Sequence, residues 1–256
     1  MTNKTKISSI IIAKNEEANI QRCIESQLGC IDEIILLIDN KTTDRTKEVA
    51  AQFKKVVCKE VQWQGFSKTK QMATQLACND WIFWIDADEE ITTELAEELK
   101  QFKNGHKKYR VYSVARRAFF LGKWIKHSGW YPGRVNRLFN KNFAKFSDSN
   151  VHEHLVFEGE VGKLANDLNH YTDPNLTHYF EKLNNYTSLA ANDLLKKNRK
   201  VFLKDILLRP IFIFVKMFFL RLGFLDGYHG LVLAMLSSAY VFVKYVKLWE
   251  IKGATK

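Results

Sequence analysis

The chain has 256 residues, 46% hydrophobic and 26% charged, with no low-complexity tract and no solenoid-length repeat. That composition suits one large core, or one domain with an appendage, and excludes a disordered or repeat protein. The formal net charge of +11 is uneven: residues 196–256 hold twelve Lys/Arg and three acids, a net of +9, against 27 basic and 25 acidic residues elsewhere, a net of +2.

The N-terminus, "MTNKTKISSIIIAKNEE", has two lysines before a short apolar run and no small-residue cleavage site, so it reads as a first strand and not a signal peptide. "SSIIIA" suits a buried parallel strand. "EEANIQRCIESQL" follows with Ile20, Cys23, Ile24 and Leu28 at helical spacing. "EIILLID" is a second buried strand, and "TTDRTKEVAAQF" a helix with Val49, Ala50 and Phe53 inward. "KVVCKEV" is a weaker strand, "FSKTKQMATQLA" a third helix and "WIFWID" a fourth strand. Strands alternating with helices predict a parallel α/β sheet, whose sites lie beyond the strands' carboxyl ends. Three polar clusters, "AKNEE", "DNKTTD" and "DADEE", should therefore converge at one edge. A helix is expected from Thr93 to about Lys103, antiparallel or mixed strands over 109–163, and an amphipathic helix over 175–198 with Leu176, Tyr179, Phe180, Leu183, Tyr186 and Ala190 on one face. Cys23, Cys30, Cys58 and Cys78 lack metal-site spacing and read as reduced structural thiols in the cytosol.

Asp86 and Asp88, one residue apart at a strand tip, repel unless neutralised. Mg²⁺ or Mn²⁺ relieves that repulsion and brings a diphosphate with it, since such ions use one or two carboxylates plus substrate phosphates. Glu89 and Glu90 are assigned to the acidic start of the next helix. Asp39, ending the second strand, can accept from a uracil imide N–H or a ribose hydroxyl. No Walker A sequence and no GxGxxG follows the first strand, which argues against a P-loop NTPase or a dinucleotide enzyme.

"SIIIAKNEE", "EIILLIDNKTTDRT", "GFSKTKQMA" and "WIFWIDADEEIT" resemble glycosyltransferase family 2, with the GT-A fold. "FFLGKWIKHSGWYP", "RLFNK", "FSDSNVHEHL" and "LRLGFLDGYHGLVLAMLSSAYVFVKYVKLWE" extend the resemblance, over almost the whole chain, to lipopolysaccharide inner-core β-1,4-glucosyltransferases. The resemblance implies inverting transfer from a nucleotide sugar, UDP-glucose, to a heptose of the lipid A–core. It places Ala13, Lys14, Asn15, Glu16 and Asp39 around the nucleoside, Lys70 near the nucleotide, and Asp86 and Asp88 on metal and diphosphate. The chain departs from the family at Asn40-Lys41, where a small Ser/Gly pair is usual. It also has Ser128-Gly129 before Trp-Tyr-Pro and Gly133 after it, in place of Gly-Gly and an acid.

Inverting transfer needs a base for the acceptor hydroxyl and positive charge on the departing diphosphate. In "NVHEHLVFEGEVG", Glu153 faces away from His152 and His154 along a strand and is the expected base; either histidine is the alternative. One of them, or His170, would complete the metal site. "KWIKHSGWYPGRVNR" offers Trp130 and Tyr131 to stack on sugar, and Arg134 and Arg137 to bind an anionic acceptor.

The C-terminal region is apolar and punctuated by Lys204, Arg209, Lys216 and Arg221. Its longest uncharged stretch, residues 230–243, is shorter than the ~20 apolar residues of a spanning helix. The expectation is a helical region on an anionic membrane surface, attracted at roughly 1 kcal/mol per Lys or Arg. Its basic residues are interleaved with apolar ones and form no polar groove, so nucleic acid is not an expected partner.

The expected architecture is thus a GT-A α/β three-layer domain over residues 1–172 and a helical, membrane-contacting extension over 173–256. The protein would be cytoplasmic, peripheral on the inner face of the inner membrane. The rivals are a GT-A transferase acting on a polyprenyl phosphate and a non-catalytic, membrane-bound nucleotide-binding scaffold.

Overall fold

The first strand is buried on both faces, which is why residues 10–13 are continuously apolar rather than alternating, with Ser8 and Ser9 buried before them. In the computed structural model, which describes residues 4–147 and 154–253, the elements run in this order. They are β1 (Ile7–Ala13), α1 (Ile20–Glu25), β2 (Glu33–Asp39), α2 (Thr46–Ala51), β3 (Val56–Val61), α3 (Phe66–Leu76), β4 (Trp81–Trp84), β5 (Glu89–Ile91) and α4 (Thr93–Asn104). After these come β6 (Val111–Phe120), β7 (Lys123–Trp124), β8 (Val135–Asn140), β9 (Ala144–Phe146), β10 (Leu155–Phe157), β11 (Val161–Asp173) and α5 (Leu176–Lys196). The chain ends with α6 (Leu203–Val215), a π turn (Lys216–Leu220), a 3-10 turn (Gly223–Asp226) and α7 (Tyr228–Gly253).

The chain forms two compact units: Met1–Arg116 with Arg134–His170, and Arg117–Gly133 with Tyr171–Lys256. The segment Arg117–Gly133, assigned from sequence to the first domain, belongs with the second.

The first unit is the expected α/β fold. Its strand order is β3-β2-β1-β4-β8-β6-β11-β5. β1 pairs in parallel with β2 and β4, and β2 with β3; β8 runs antiparallel to β4 and β6, and β5 to β11. Two apolar layers cover the sheet. Ile7, Ile11 and Ala13 of β1 pack with Ile20, Cys23 and Ile24 of α1 and Leu95 and Leu99 of α4. Ile10 and Ile12 point the other way, into the layer of Ala73 from α3 with Ala144 and Phe146 of β9. α1 and α2 are shorter than their patterns predict, because the residues before them are drawn into loops at the strand ends. Leu28 stays 39% exposed.

The second unit is mainly helical. α5 buries Thr187 and Ala191, while Leu176, Phe180 and Tyr186 of the predicted inner face are exposed. Its inward stripe is Tyr179, Leu183, Thr187 and Ala191, in steps of four. α7 is one helix of 26 residues, about 39 Å at 1.5 Å per residue. It extends past both ends of the uncharged stretch, and beyond that stretch Lys247 Nζ bonds the Asn184 carbonyl at 2.8 Å and Ser188 Oγ at 2.8 Å on α5. Among the described residues it is the one helix long and apolar enough to cross a membrane. Leu233, Ala234, Tyr245 and Leu248 are nevertheless buried.

Candidate functional site

Three strand ends meet in the first unit. β1 runs into Lys14, Asn15 and Glu16, β2 ends at Asp39, and β4 leads through Ile85 into Asp86 and Asp88. The first two ends are laced together. Lys14 Nζ stands 3.3 Å from Asp39 Oδ2. The Thr43 N–H donates to Asn15 Oδ1 at 2.8 Å, and the Glu16 N–H to Thr46 Oγ1 at 2.8 Å. Asn15 reaches this position at φ 54, a left-handed conformation that asparagine tolerates. Asp39 is 3% exposed. The Lys41 N–H, donating to its Oδ1 at 3.0 Å, is the chief cause that keeps its carboxyl below the usual range, with Lys14 adding to it against burial. Lys41, at one of the family departures, thus supports the acid through its backbone.

The third end is built differently from the expectation. Asp86 is a third exposed and carries two cations: Lys70 Nζ at 3.1 Å on Oδ1 and Arg137 Nη2 at 2.8 Å on Oδ2. Burial alone would raise its pKa, but these charges hold it far below the carboxylate range. Lys70 and Arg137 are almost wholly buried. Both stack on Trp84, at 3.8 and 3.6 Å from the ring. Glu89 is 0% exposed. Its Oε1 accepts from Arg137 Nη2 at 2.5 Å and its Oε2 from the Asp86 N–H at 3.0 Å. Burial pushes the Glu89 carboxyl up despite Arg137. Glu89 is therefore part of the site's foundation and not a helix-start acid; the helix begins at Thr93, capped by Thr92.

Arg137, expected at the acceptor, is instead the buried counter-ion of Asp86 and Glu89. Arg134 is likewise committed to the frame, donating to Ser113 Oγ at 3.2 Å and to the carbonyls of Ser113 at 3.0 Å and Leu164 at 2.5 Å. Trp130 and Tyr131, the aromatic half of that set, lie in the second unit. Of the expected bases, His152 and Glu153 lie outside the described residues. His154 is exposed beside β10, its carbonyl accepting from the Ser147 N–H at 2.9 Å.

His170 stands opposite Glu89 in the β11–β5 register, with Nε2 3.2 Å from Asp88 Oδ2. Glu16 belongs to the same pool of negative charge. Burial, then Asp88, Asp44 and Asp86, push its carboxyl up to about 7 against a hydrogen bond from Asn19. Arg116 was not singled out from the sequence. It brings Nη1 within 3.8 Å of Glu89, and its place after an aromatic strand run was the available signal.

A family model described as Glycosyl transferase family 2 matches residues 8–157, more than half of the chain. The chain belongs to glycosyl transferase family 2. This glycosyltransferase is 34% identical to an uncharacterized glycosyltransferase of Rickettsia typhi, over 96% of this chain and 87% of the relative. It is 27% identical to the lipopolysaccharide core biosynthesis glycosyltransferase LpsC of Rhizobium meliloti, over 98% and 94% of the two chains. S. aureus TarS 1-349 in complex with UDP is similar over 98% of this chain and 92% of that one, at 14% identity and a TM-score of 0.48.

The glycosyltransferase's donor set suits a divalent cation at Asp88 and His170. It is a carboxylate and an imidazole at hydrogen-bond distance, near Glu16, whose carboxyl is pushed up chiefly by burial and further by Asp88, Asp44 and Asp86. A mixed oxygen–nitrogen pair favours Mn²⁺ over Mg²⁺. Among the described residues no third protein ligand joins them, so diphosphate oxygens and water would fill the remaining positions.

Proposed function

We propose that this glycosyltransferase moves glucose from UDP-glucose to a heptose of the lipopolysaccharide core, with inversion, at the cytoplasmic face of the inner membrane. The observation that carries the reading is the meeting of three strand ends in one unit: Asp39 for the nucleoside, Asp86 with its two cations, and Asp88 with His170. Likeness to LpsC supports the core acceptor, and the resemblance of the sequence to inner-core enzymes supports glucose.

Asp39, buried but with Oδ2 held by Lys14 alone among the described contacts, accepts the uracil imide N–H. Lys70 and Arg137 fix Asp86, so that the loop through Asp88 keeps its shape as charge moves on the diphosphate. A divalent ion at Asp88 and His170 would supply positive charge to the leaving group when bound. The acceptor hydroxyl attacks the anomeric carbon from the face opposite the diphosphate. The new C–O bond forms as the bond to the diphosphate oxygen breaks, UDP departs, and the hydroxyl proton passes to Glu153, or to His152 or His154.

The test is transfer from a panel of radiolabelled nucleotide sugars to truncated core or to polyprenyl phosphate, with and without Mn²⁺. Label on the core from UDP-glucose supports the reading. Label on polyprenyl phosphate alone moves the acceptor, and UDP binding without turnover makes the protein a scaffold.

A further inference from the structure

The second unit contains a fastening that the proposed reaction does not use. Asp226, closing the 3-10 turn, is 3% exposed. Its Oδ2 accepts from the His127 N–H at 2.9 Å, and its Oδ1 from the Lys126 N–H at 3.3 Å, with His127 Nδ1 at 3.2 Å. Lys123 Nζ donates to its carbonyl at 2.9 Å. Just before the same turn, the Ser128 N–H donates to the Arg221 carbonyl at 2.9 Å. The backbones here touch. A Cβ on Gly223 would stand 2.5 Å from Ser128 Oγ, and one on Gly230 would fall on the Gly223 carbonyl. The clamped segment passes through left-handed Ser128 (φ 59) and Gly129 (φ 80). It delivers Trp130 edge-on to Phe120 at 6.2 Å and Tyr131 edge-on to Trp124 at 5.4 Å.

The clamping turn also exposes apolar side chains: Leu222 46%, Phe224 45%, Leu225 56% and Tyr228 86%. Lys123, Lys126 and Arg221 are exposed beside them, while the one acid among residues 117–133 and 216–230 is the buried Asp226. An apolar tip ringed by cations complements an anionic bilayer, with the side chains entering the acyl boundary and the Lys/Arg meeting headgroups.

We propose that residues 222–228 are where the protein enters an anionic bilayer, and that Asp226 is a positioning residue that transmits this docking to residues 127–131. The second half rests on the reading of Trp130 and Tyr131 as acceptor groups. Bilayer contact removes the turn's freedom, and the Asp226 clamp passes that restraint to the loop presenting the two rings.

The experiment reads hydrogen exchange at residues 126–130 of the full chain. Phosphatidylglycerol vesicles slow exchange by about tenfold or more, since a turn held in the bilayer opens the clamp less often. Vesicles of phosphatidylcholine alone do not. Asp226→Asn still floats with the anionic vesicles but loses the slowing. Lys123→Met, compared with wild type at a vesicle excess that binds both fully, loses part of it and decides the matter should Asp226→Asn melt early. The double variant Phe224→Asp, Leu225→Asp loses flotation and slowing together. Unchanged exchange in wild type, or equal slowing in wild type and both clamp variants, overturns the proposal. In transfer assays Asp226→Asn raises the KM for membrane-borne acceptor and leaves the KM for nucleotide sugar unchanged. A wild-type protein that transfers no sugar defeats the functional reading, while the exchange result stands or falls separately.

Discussion

Arg137 Nη2 bridges two carboxylates, 2.8 Å from Asp86 Oδ2 and 2.5 Å from Glu89 Oε1. A guanidinium with no exposed surface thus joins the acid at the strand tip to one that the chain pattern gives to a turn. A buried pair of this kind stabilises little relative to apolar packing, but breaking it on one side strands a charge. Arg137→Met is therefore expected to cost about 3–5 kcal/mol in urea unfolding. Adding Glu89→Gln should recover part of that loss, because the carboxylate that loses its buried counter-ion is removed, while Asp86 keeps Lys70. Additive losses in the double variant would show that the two residues act independently.

Asp86 and Asp88 should separate in their effects. With its two cations in place, Asp86 is already neutralised, whereas Asp88 pairs with His170. In Mn²⁺ titrations followed by electron paramagnetic resonance with UDP present, Asp88→Asn and His170→Ala should each weaken binding about 10–100-fold. Asp86→Asn should weaken it less and lower the melting temperature more. Equal Mn²⁺ affinity across all three variants would remove the ion from this site.

Glu16 makes stability depend on pH. Its folded pKa of about 7 lies above its ordinary value of 4.5. The unfolded chain therefore gives up this proton first as pH rises. Stability is full below the ordinary value, falls as pH climbs through the folded value, and is flat beyond it. Glu16→Gln should melt with wild type at low pH and above it at pH ~8, by up to about 3 kcal/mol. A constant difference at every pH would mean that Glu16 is ionised throughout.

The apolar face of α6 should add to membrane binding beside residues 222–228 without governing the fold. Leu208, Ile211 and Phe212 are 62%, 60% and 58% exposed. Ile211→Glu and Phe212→Glu should each weaken flotation with phosphatidylglycerol vesicles by about 10-fold or more, from a loss of 1.5–3 kcal/mol of apolar burial per side chain. Urea unfolding should shift by no more than about 0.5 kcal/mol. A large stability loss with unchanged flotation would assign this face to internal packing.

The sequence by itself determined the first unit's α/β character and the side on which its polar residues gather. Both follow from local period and chain order: apolar runs alternate with helices, and each strand's carboxyl end carries its polar cluster. The pairing of Asp39 with Lys14, the burial of Glu89, the commitment of Arg137 to Asp86, and the meeting of Asp88 with His170 were decided by the tertiary structure. Each joins residues 25 or more positions apart, or on strands whose order in the sheet is not their order in the chain, and no local period encodes such a register. The same reason governs the second unit. Arg117–Gly133 reads as part of a run of strands, yet Asp226 and Arg221, nearly a hundred residues on, hold it by its backbone N–H groups. Backbone donors are alike in every residue, so a sequence cannot show which distant acceptor will claim them.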